Sequence, residues 1–212
     1  MRLLLLVLSV WSLWAPIERL DAQVQQWAQA WRAESRGGLE RPMQFVTDLG
    51  KPAVVLGALL GVAVLDAAEG VAVARVALVT LGAVNLAVEG IKRATGRTRP
   101  DGESKRSNSS FPSSHAANAF ALAVLFARRW RRGAWAFWAL ATLVAVSRVY
   151  LNRHYASDVL AAAVLGVGLA LWVARRMQWR VARAASRGPK GGAGIGSLND
   201  SSKSAVEPRA TI

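Results

Sequence analysis

The chain has 212 residues, 53% of them hydrophobic, with a formal net charge of +14 and no cysteine. Without thiols it can build neither a disulfide framework nor a thiolate metal site or nucleophile. A charge this positive suits a nucleic-acid partner, but no recognition motif accompanies it and its placement fits a membrane instead.

The opening MRLLLLVLSVWSLWAP sets one arginine before an apolar run, as a signal peptide does, yet no small-x-small cleavage pattern follows. Leu3–Ala15 therefore reads as an uncleaved first span, short enough to be tilted or partly buried. Residues 17–36 differ. Ile17, Leu20, Val24, Trp27 and Trp31 recur at spacings of three and four among Glu18, Arg19, Asp21, Gln25 and Gln29, which predicts a helix with one apolar stripe. Two placements fit it equally: flat in the membrane interface, or packed on other spans. Gly37 and Gly38 end this helix, and Pro42 restarts the chain.

Apolar stretches that approach or reach bilayer length run from Pro52 to Asp66, Val71 to Gly90, Ala134 to Val149 and Ala156 to Ala174. Ala116–Ala127 is shorter and joins them as a tilted or partly buried span. Asp66, Glu69 and Gly70 mark the first turn, a polar loop runs from Lys92 to Ser114, and RRWRR at 128–132 makes the next turn. The expected fold is all-α, an integral membrane bundle of about six transmembrane helices with an interfacial amphipathic helix. Residues 1–185 form its membrane-embedded domain. The Gly/Ser-rich stretch 186–212 lacks apolar periodicity and reads as a disordered cytoplasmic tail.

Six spans put the N-terminus, the loop with Arg128, Arg129, Arg131 and Arg132, and the basic run Arg175, Arg176, Arg180, Arg183, Arg187 and Lys190 on one side. Positive loops mark the cytoplasmic face, where they also meet anionic headgroups. Three polar clusters then emerge on the opposite face: KRATGRTRP at 92–100, FPSSH at 111–115 and SRVYLNRHYASD at 147–158.

Those clusters hold the only two histidines in the chain, His115 and His154. Lys92, Arg99 and Arg148 supply cations, and guanidinium forks suit phosphate oxygens. Amides around Ser113 and Ser114 open the helix that starts near Ala116, and a helix N-terminus is a ready anion site. Three fixed cations repel a divalent metal, and Asp158 with two histidines is too small a ligand set for one, so no metal is expected. His154 and Asp158 are four apart and share a face if both are helical. Asp158 can then fix one ring nitrogen and leave the other as base or nucleophile, while His115 protonates a leaving oxygen. Singly, each residue is more simply a polar cap on a span; together they compose a phosphotransfer site.

Lys92 with six residues before Arg99-Pro100, then Pro112-Ser113-Ser114-His115, then Ser147-Arg148 with five residues before His154 and three more before Asp158, resemble the type-2 phosphatidic acid phosphatase and vanadium haloperoxidase superfamily. Order and spacings match, and the resemblance covers 92–158 directly. One position departs: the family commonly has Gly where this chain has Ser114, which keeps the amide, adds a hydroxyl and is expected to alter substrate fit. The resemblance implies a metal-independent, cofactor-free phosphatase. His154 attacks phosphorus, His115 is the proton donor and then the base, and Asp158 holds His154. Lys92, Arg99, Arg148, Ser113 and the Ser114 amide stabilise the phosphoryl oxygens. Arg97, Arg153 and Asn152 have no matching role.

The leading function is thus a membrane lipid phosphatase, in a bacterial inner membrane, with its site on the periplasmic or extracellular side. Its partners are the bilayer and a phosphorylated lipid of undecaprenyl pyrophosphate, phosphatidylglycerol phosphate or phosphatidic acid type, with a slight lean to the carrier pyrophosphate, and no nucleic acid. A vanadate-dependent haloperoxidase and a non-catalytic phosphate-binding membrane protein are the alternatives; the apolar spans weigh against the first and the histidine set against the second.

Overall fold

A computed structural model describes residues 2–103 and 108–186, with side chains over 15–103 and 108–177. The expected tail, 186–212, and the basic residues from Arg180 onward lie outside the described side chains. The described residues are helical and form no strand: α1 (Arg2–Glu34), α2 (Glu40–Asp48), α3 (Pro52–Leu65), α4 (Gly70–Thr95), α5 (Ser114–Arg129), α6 (Ala134–Tyr150) and α7 (Ala156–Ser186).

Local chemistry sets several boundaries. Pro52 opens α3, where a missing N–H costs nothing. Gly96 closes α4 in the left-handed conformation, with φ 56°. The Ser113 hydroxyl accepts the Ala116 N–H at the head of α5. Asp158, in the first turn of α7, reaches back to accept the Tyr155 N–H at 2.8 Å, the acidic half of a capping box.

Among the described residues, three helical stretches are long and apolar enough to cross a bilayer: Gly70–Thr95, Arg131–Tyr150 and Ala156–Met177. A fourth arises if α2 and α3, bent by 57° at their junction, act as one broken span. Of the expected six spans, length and composition establish three, or four with the bent pair. The apolar opening is not a separate element but the first part of a 33-residue α1 that runs through Pro16. Its second half lies on α6 and α7. Trp31 meets Tyr150 edge-on at 5.1 Å, while Trp27 stays 67% exposed, so the amphipathic helix both packs and presents an aromatic face outward. The loop expected from Lys92 begins later, because α4 continues to Thr95 and carries Lys92 on its last turn.

The stretch 116–127 belongs to α5, only 16 residues long and packed against α4, α6 and α7. A helix walled by protein need not match bilayer thickness, which is why a core helix reads as a weak span. Van der Waals fit drives such packing in lipid, and small residues allow it. Ala117, Ala121 and Ala162 have no exposed surface, and a Cβ on Gly166 would stand 2.2 Å from the Ala117 carbonyl oxygen. Backbones of α5 and α7 therefore meet. Outward, Leu60, Val64, Leu86, Leu160, Val164 and Trp172 are exposed on α3, α4 and α7, an apolar girdle suited to lipid. At the end of the bundle where α3 meets α4, Arg129 forks onto Asp66 at 2.8 and 2.9 Å.

Gly166→Val should overpack this crossing and cost about 1–3 kcal/mol, read as a lower Tm in detergent. Gly168→Ala, where an added Cβ meets nothing within 4 Å, should leave Tm unchanged. Equal melting of the two variants would mean the crossing has slack.

Candidate active site

Opposite the Asp66–Arg129 pair, the ends of α4, α5, α6 and α7 converge with the α2–α3 corner. This brings Lys92, Arg99, His115, Arg148, His154 and Asp158 of the three sequence clusters within electrostatic reach of one another. His115 lies within electrostatic reach of Arg148, His154, Lys92 and Arg99. It also borders Gly50, where a Cβ would sit 2.9 Å from the imidazole Cδ2. Only a residue without a side chain lets the corner approach the ring this closely.

The cations are buried. Lys92 is 6% exposed and makes no ion pair among the described residues. Arg99 is fixed by Asn108, donating from Nε to the carbonyl at 2.9 Å and from Nη2 to Oδ1 at 2.5 Å. Arg148 donates from Nη1 to the Thr47 hydroxyl at 2.9 Å, and its buried Nε–H has no partner. A buried donor left unpaired is costly unless a ligand meets it. An arginine anchored through one arm with another donor vacant is poised for an anion. Ser113 is fully buried, its hydroxyl already serving α5, and Ser114 is the first residue of that helix.

His154 sits in the turn between α6 and α7, its own N–H bonded to the Arg148 carbonyl at 3.2 Å. Its Nδ1 lies 2.7 Å from the Ser110 carbonyl oxygen, which makes Nδ1 the protonated nitrogen and leaves the Nε2 lone pair free. Asp158 stands farther from Nδ1, at 3.6 Å. The direct aspartate–histidine hydrogen bond expected from four-residue spacing is therefore replaced by one to a backbone carbonyl. The reason is positional: His154 precedes the first turn of α7, so the spacing is not helical register. Burial pushes the His154 imidazole down to about 4, with Arg148 and Arg99 adding to the shift and the Asp158 carboxylate opposing it. The ring is neutral at physiological pH.

Asp158 has no exposed surface, and both its oxygens are engaged. Oδ1 accepts from Arg97 Nη1 at 2.6 Å; Oδ2 accepts from the Ser110 hydroxyl and the Tyr155 N–H. Arg97 also donates to Asp21 of α1 and to Ser157. Thus Arg97, without a role at sequence level, is a partly buried bridge between two buried carboxylates. Asp21, Thr47, Asn108 and Ser110 are site residues the sequence did not announce. A buried carboxylate at position 21 leaves only one weak signal, an acidic residue beside the apolar stripe. Arg153 pairs with Asp101 at 3.0 Å and is half exposed, and Asn152 takes a left-handed φ of 59° in the turn before His154. Among the described residues, no three His, Cys, Asp or Glu side chains cluster as metal ligands.

The sequence model of the PAP2 superfamily matches residues 73–182. Over 80 residues, 36% of this chain, it is 42% identical to the lipid A 1-phosphatase of Porphyromonas gingivalis, of which that stretch is 17%. Over 67 residues it is 40% identical to the lipid A 4'-phosphatase of Bacteroides thetaiotaomicron, covering 30% of this chain and 28% of that protein. In structure it resembles the PAP2-type phosphatidylglycerolphosphate phosphatase of Bacillus subtilis, with a TM-score of 0.64 and 24% identity, over 77% of this chain and 87% of that one. It also resembles Aquifex aeolicus LpxE, with a TM-score of 0.57 and 18% identity, over 65% and 86%.

With only two histidines, imidazole NMR resolves the nucleophile candidate cleanly. In a His115→Asn variant, His154 should show protonated Nδ1 and free Nε2 through pH 6 and gain its second proton only near pH 4. Titration near 6.5 would mean a solvated ring.

Proposed function

The chain belongs to the PAP2 superfamily, and from that premise we propose that it is an integral-membrane phosphatase of lipid headgroups, working through a phosphohistidine on His154. The observation that carries this reading is the pairing of a neutral buried imidazole, with Nε2 free, and an arginine whose buried Nε–H has no partner. A phosphoryl group satisfies both at once.

In the first step the Nε2 lone pair bonds to phosphorus, the P–O bond to the leaving alkoxide or phosphate breaks, and His115 gives that oxygen a proton. In the second, His115 takes a proton from water, the resulting hydroxide attacks phosphorus, and the N–P bond breaks to return Nε2 and release phosphate. Lys92, Arg99, Arg148, Ser113 and the Ser114 amide hold the equatorial oxygens, where charge is greatest as phosphorus transfers. Asp158 supports the ring electrostatically from 3.6 Å.

In-line displacement also favours one route for the lipid tail. The leaving oxygen lies opposite His154, on the His115 side. From Leu49 and Gly50, beside His115, an apolar cleft of about 190 Å³ descends between α3, α5 and α6 past Ala58, Leu122 and Leu140. A second apolar cleft, of about 290 Å³, lies between α1, α6 and α7, near Tyr150 and Ala156 on the nucleophile side. The first is the tail's path. Substrates are phosphate-monoester or pyrophosphate lipids, of undecaprenyl pyrophosphate, phosphatidylglycerol phosphate or phosphatidic acid type. Lipid A phosphates join them because of the two lipid A phosphatase relatives. We take the first part of α1, the α2–α3 pair and α5 as further spans beside the three long helices, a six-span reading in which the site faces the periplasmic or extracellular side of a bacterial inner membrane. Residues 1–185 then form the membrane domain, with 186–212 a cytoplasmic tail.

Purified protein should release phosphate from such a headgroup panel with or without chelator. His154→Ala should cut release by about 10³-fold or more while the protein stays folded; substantial residual turnover would remove His154 as nucleophile. Leu122→Trp should slow long-chain lipid cleavage yet spare p-nitrophenyl phosphate, and equal loss on both would refute the tail path. Reporters fused after Arg132 and at the C-terminus should both read cytoplasmic; an external signal at either overturns the topology.

A further inference from the structure

The geometry points to Asp21 as a positioning residue for the His154 nucleophile, acting from α1 through Arg97 and Asp158, an inference that rests on the phosphohistidine chemistry proposed for this site. Asp21 is 3% exposed. Its Oδ2 accepts from Arg97 Nη2 at 2.7 Å and from the Ser157 hydroxyl at 2.5 Å, while Oδ1 accepts the Ser157 N–H at 2.8 Å. The other arm of Arg97 donates to Asp158 Oδ1 at 2.6 Å and to the Ser157 hydroxyl at 2.7 Å. One guanidinium fork is thus stretched between two buried carboxylates that lie 76 and 61 residues away in sequence.

Anchoring α1 does not by itself call for this arrangement. A neutral hydrogen bond to Ser157 would tie α1 to the orphan amides of α7 without desolvating another charge. What a carboxylate adds is charge balance. Asp21 and Asp158 with Arg97 between them carry one net negative charge. Removing Asp21 would take away one of the two carboxylates that share the Arg97 charge. When Nε2 bonds to phosphorus and Nδ1–H stays on the Ser110 carbonyl, the His154 ring becomes positive, and the nearest anion is Asp158 Oδ2 at 3.6 Å. Asp21 therefore keeps that anion effective at the moment the ring needs it. By holding the second arm of Arg97, it also fixes the fork so that Oδ1 faces the arginine and Oδ2 faces the ring. Asp21 touches neither substrate nor reacting atom; it acts through its neighbours.

The test compares the full-length wild type with Asp21→Asn and Asp21→Glu in detergent micelles containing phosphatidic acid. Asp21→Asn keeps an acceptor for Ser157 but removes the charge. It should lower kcat by about tenfold or more, leave KM within about threefold, and melt close to the wild type. Asp21→Glu, which restores the charge, should recover most of kcat. Wild-type kcat in Asp21→Asn would overturn the inference. So would loss of kcat in both variants in parallel with Tm, or failure of both to fold, since Asp21 would then be an anchor and nothing more. Absence of wild-type turnover on the lipid headgroup panel would instead strike at the proposed activity, and the two failures are distinguishable.

Discussion

Like charges buried side by side repel, and this structure devotes its polar contacts to holding Lys92, Arg99 and Arg148 at one end of an apolar bundle. Each is restrained differently. Lys92 is set by α4 itself, Arg99 is clamped by Asn108, and Arg148 is tied to Thr47 across 101 residues of sequence. Two buried carboxylates that could neutralise these cations are occupied elsewhere, since Asp158 and Asp21 belong to Arg97. Among the described residues only Glu103, 4.0 Å from the Arg99 Nε, pairs with one of the three. A pocket of net positive charge is the result, and the neutrality of His154 follows from its burial within it.

The precision of that pocket comes from the hydrocarbon-facing part of the molecule. His115 rides on α5 and Asp158 on α7, and the two helices touch backbone to backbone where Gly166 meets Ala117. Alanine and glycine along this seam let the ends that carry His115 and Asp158 approach without any hydrophobic driving force between helices. The superfamily match spans the same region, from within α4 into α7. Residues before it, in α1 and the α2–α3 corner, supply Asp21, Thr47 and Gly50 to the candidate site.

Much of the site was legible because its main residues sit at helix ends, where a polar cluster interrupting an apolar run stands out. Lys92 to Arg99, Ser113 to His115 and Arg148 to Asp158 are each local in sequence. Partners contributed across long separations left no such trace: Asp21, Thr47 and Ser110 look like ordinary polar residues until the helices pack. Four-residue spacing misled about His154 and Asp158 because spacing carries meaning only within a helix, and α7 starts after His154. Span counting met a similar limit. Apolar length cannot tell α5, a short helix enclosed by three others, from a helix that touches lipid, and Pro16 did not end α1.

The bend between α2 and α3 brings two functions onto one short piece of backbone. Thr47 accepts a hydrogen bond from Arg148, and three residues later Gly50 lies against His115. A small molecule wedged beneath this elbow would pry at both together. Escape by a bulkier residue at position 50 would press on His115, so an inhibitor aimed there leaves the protein little room for resistance.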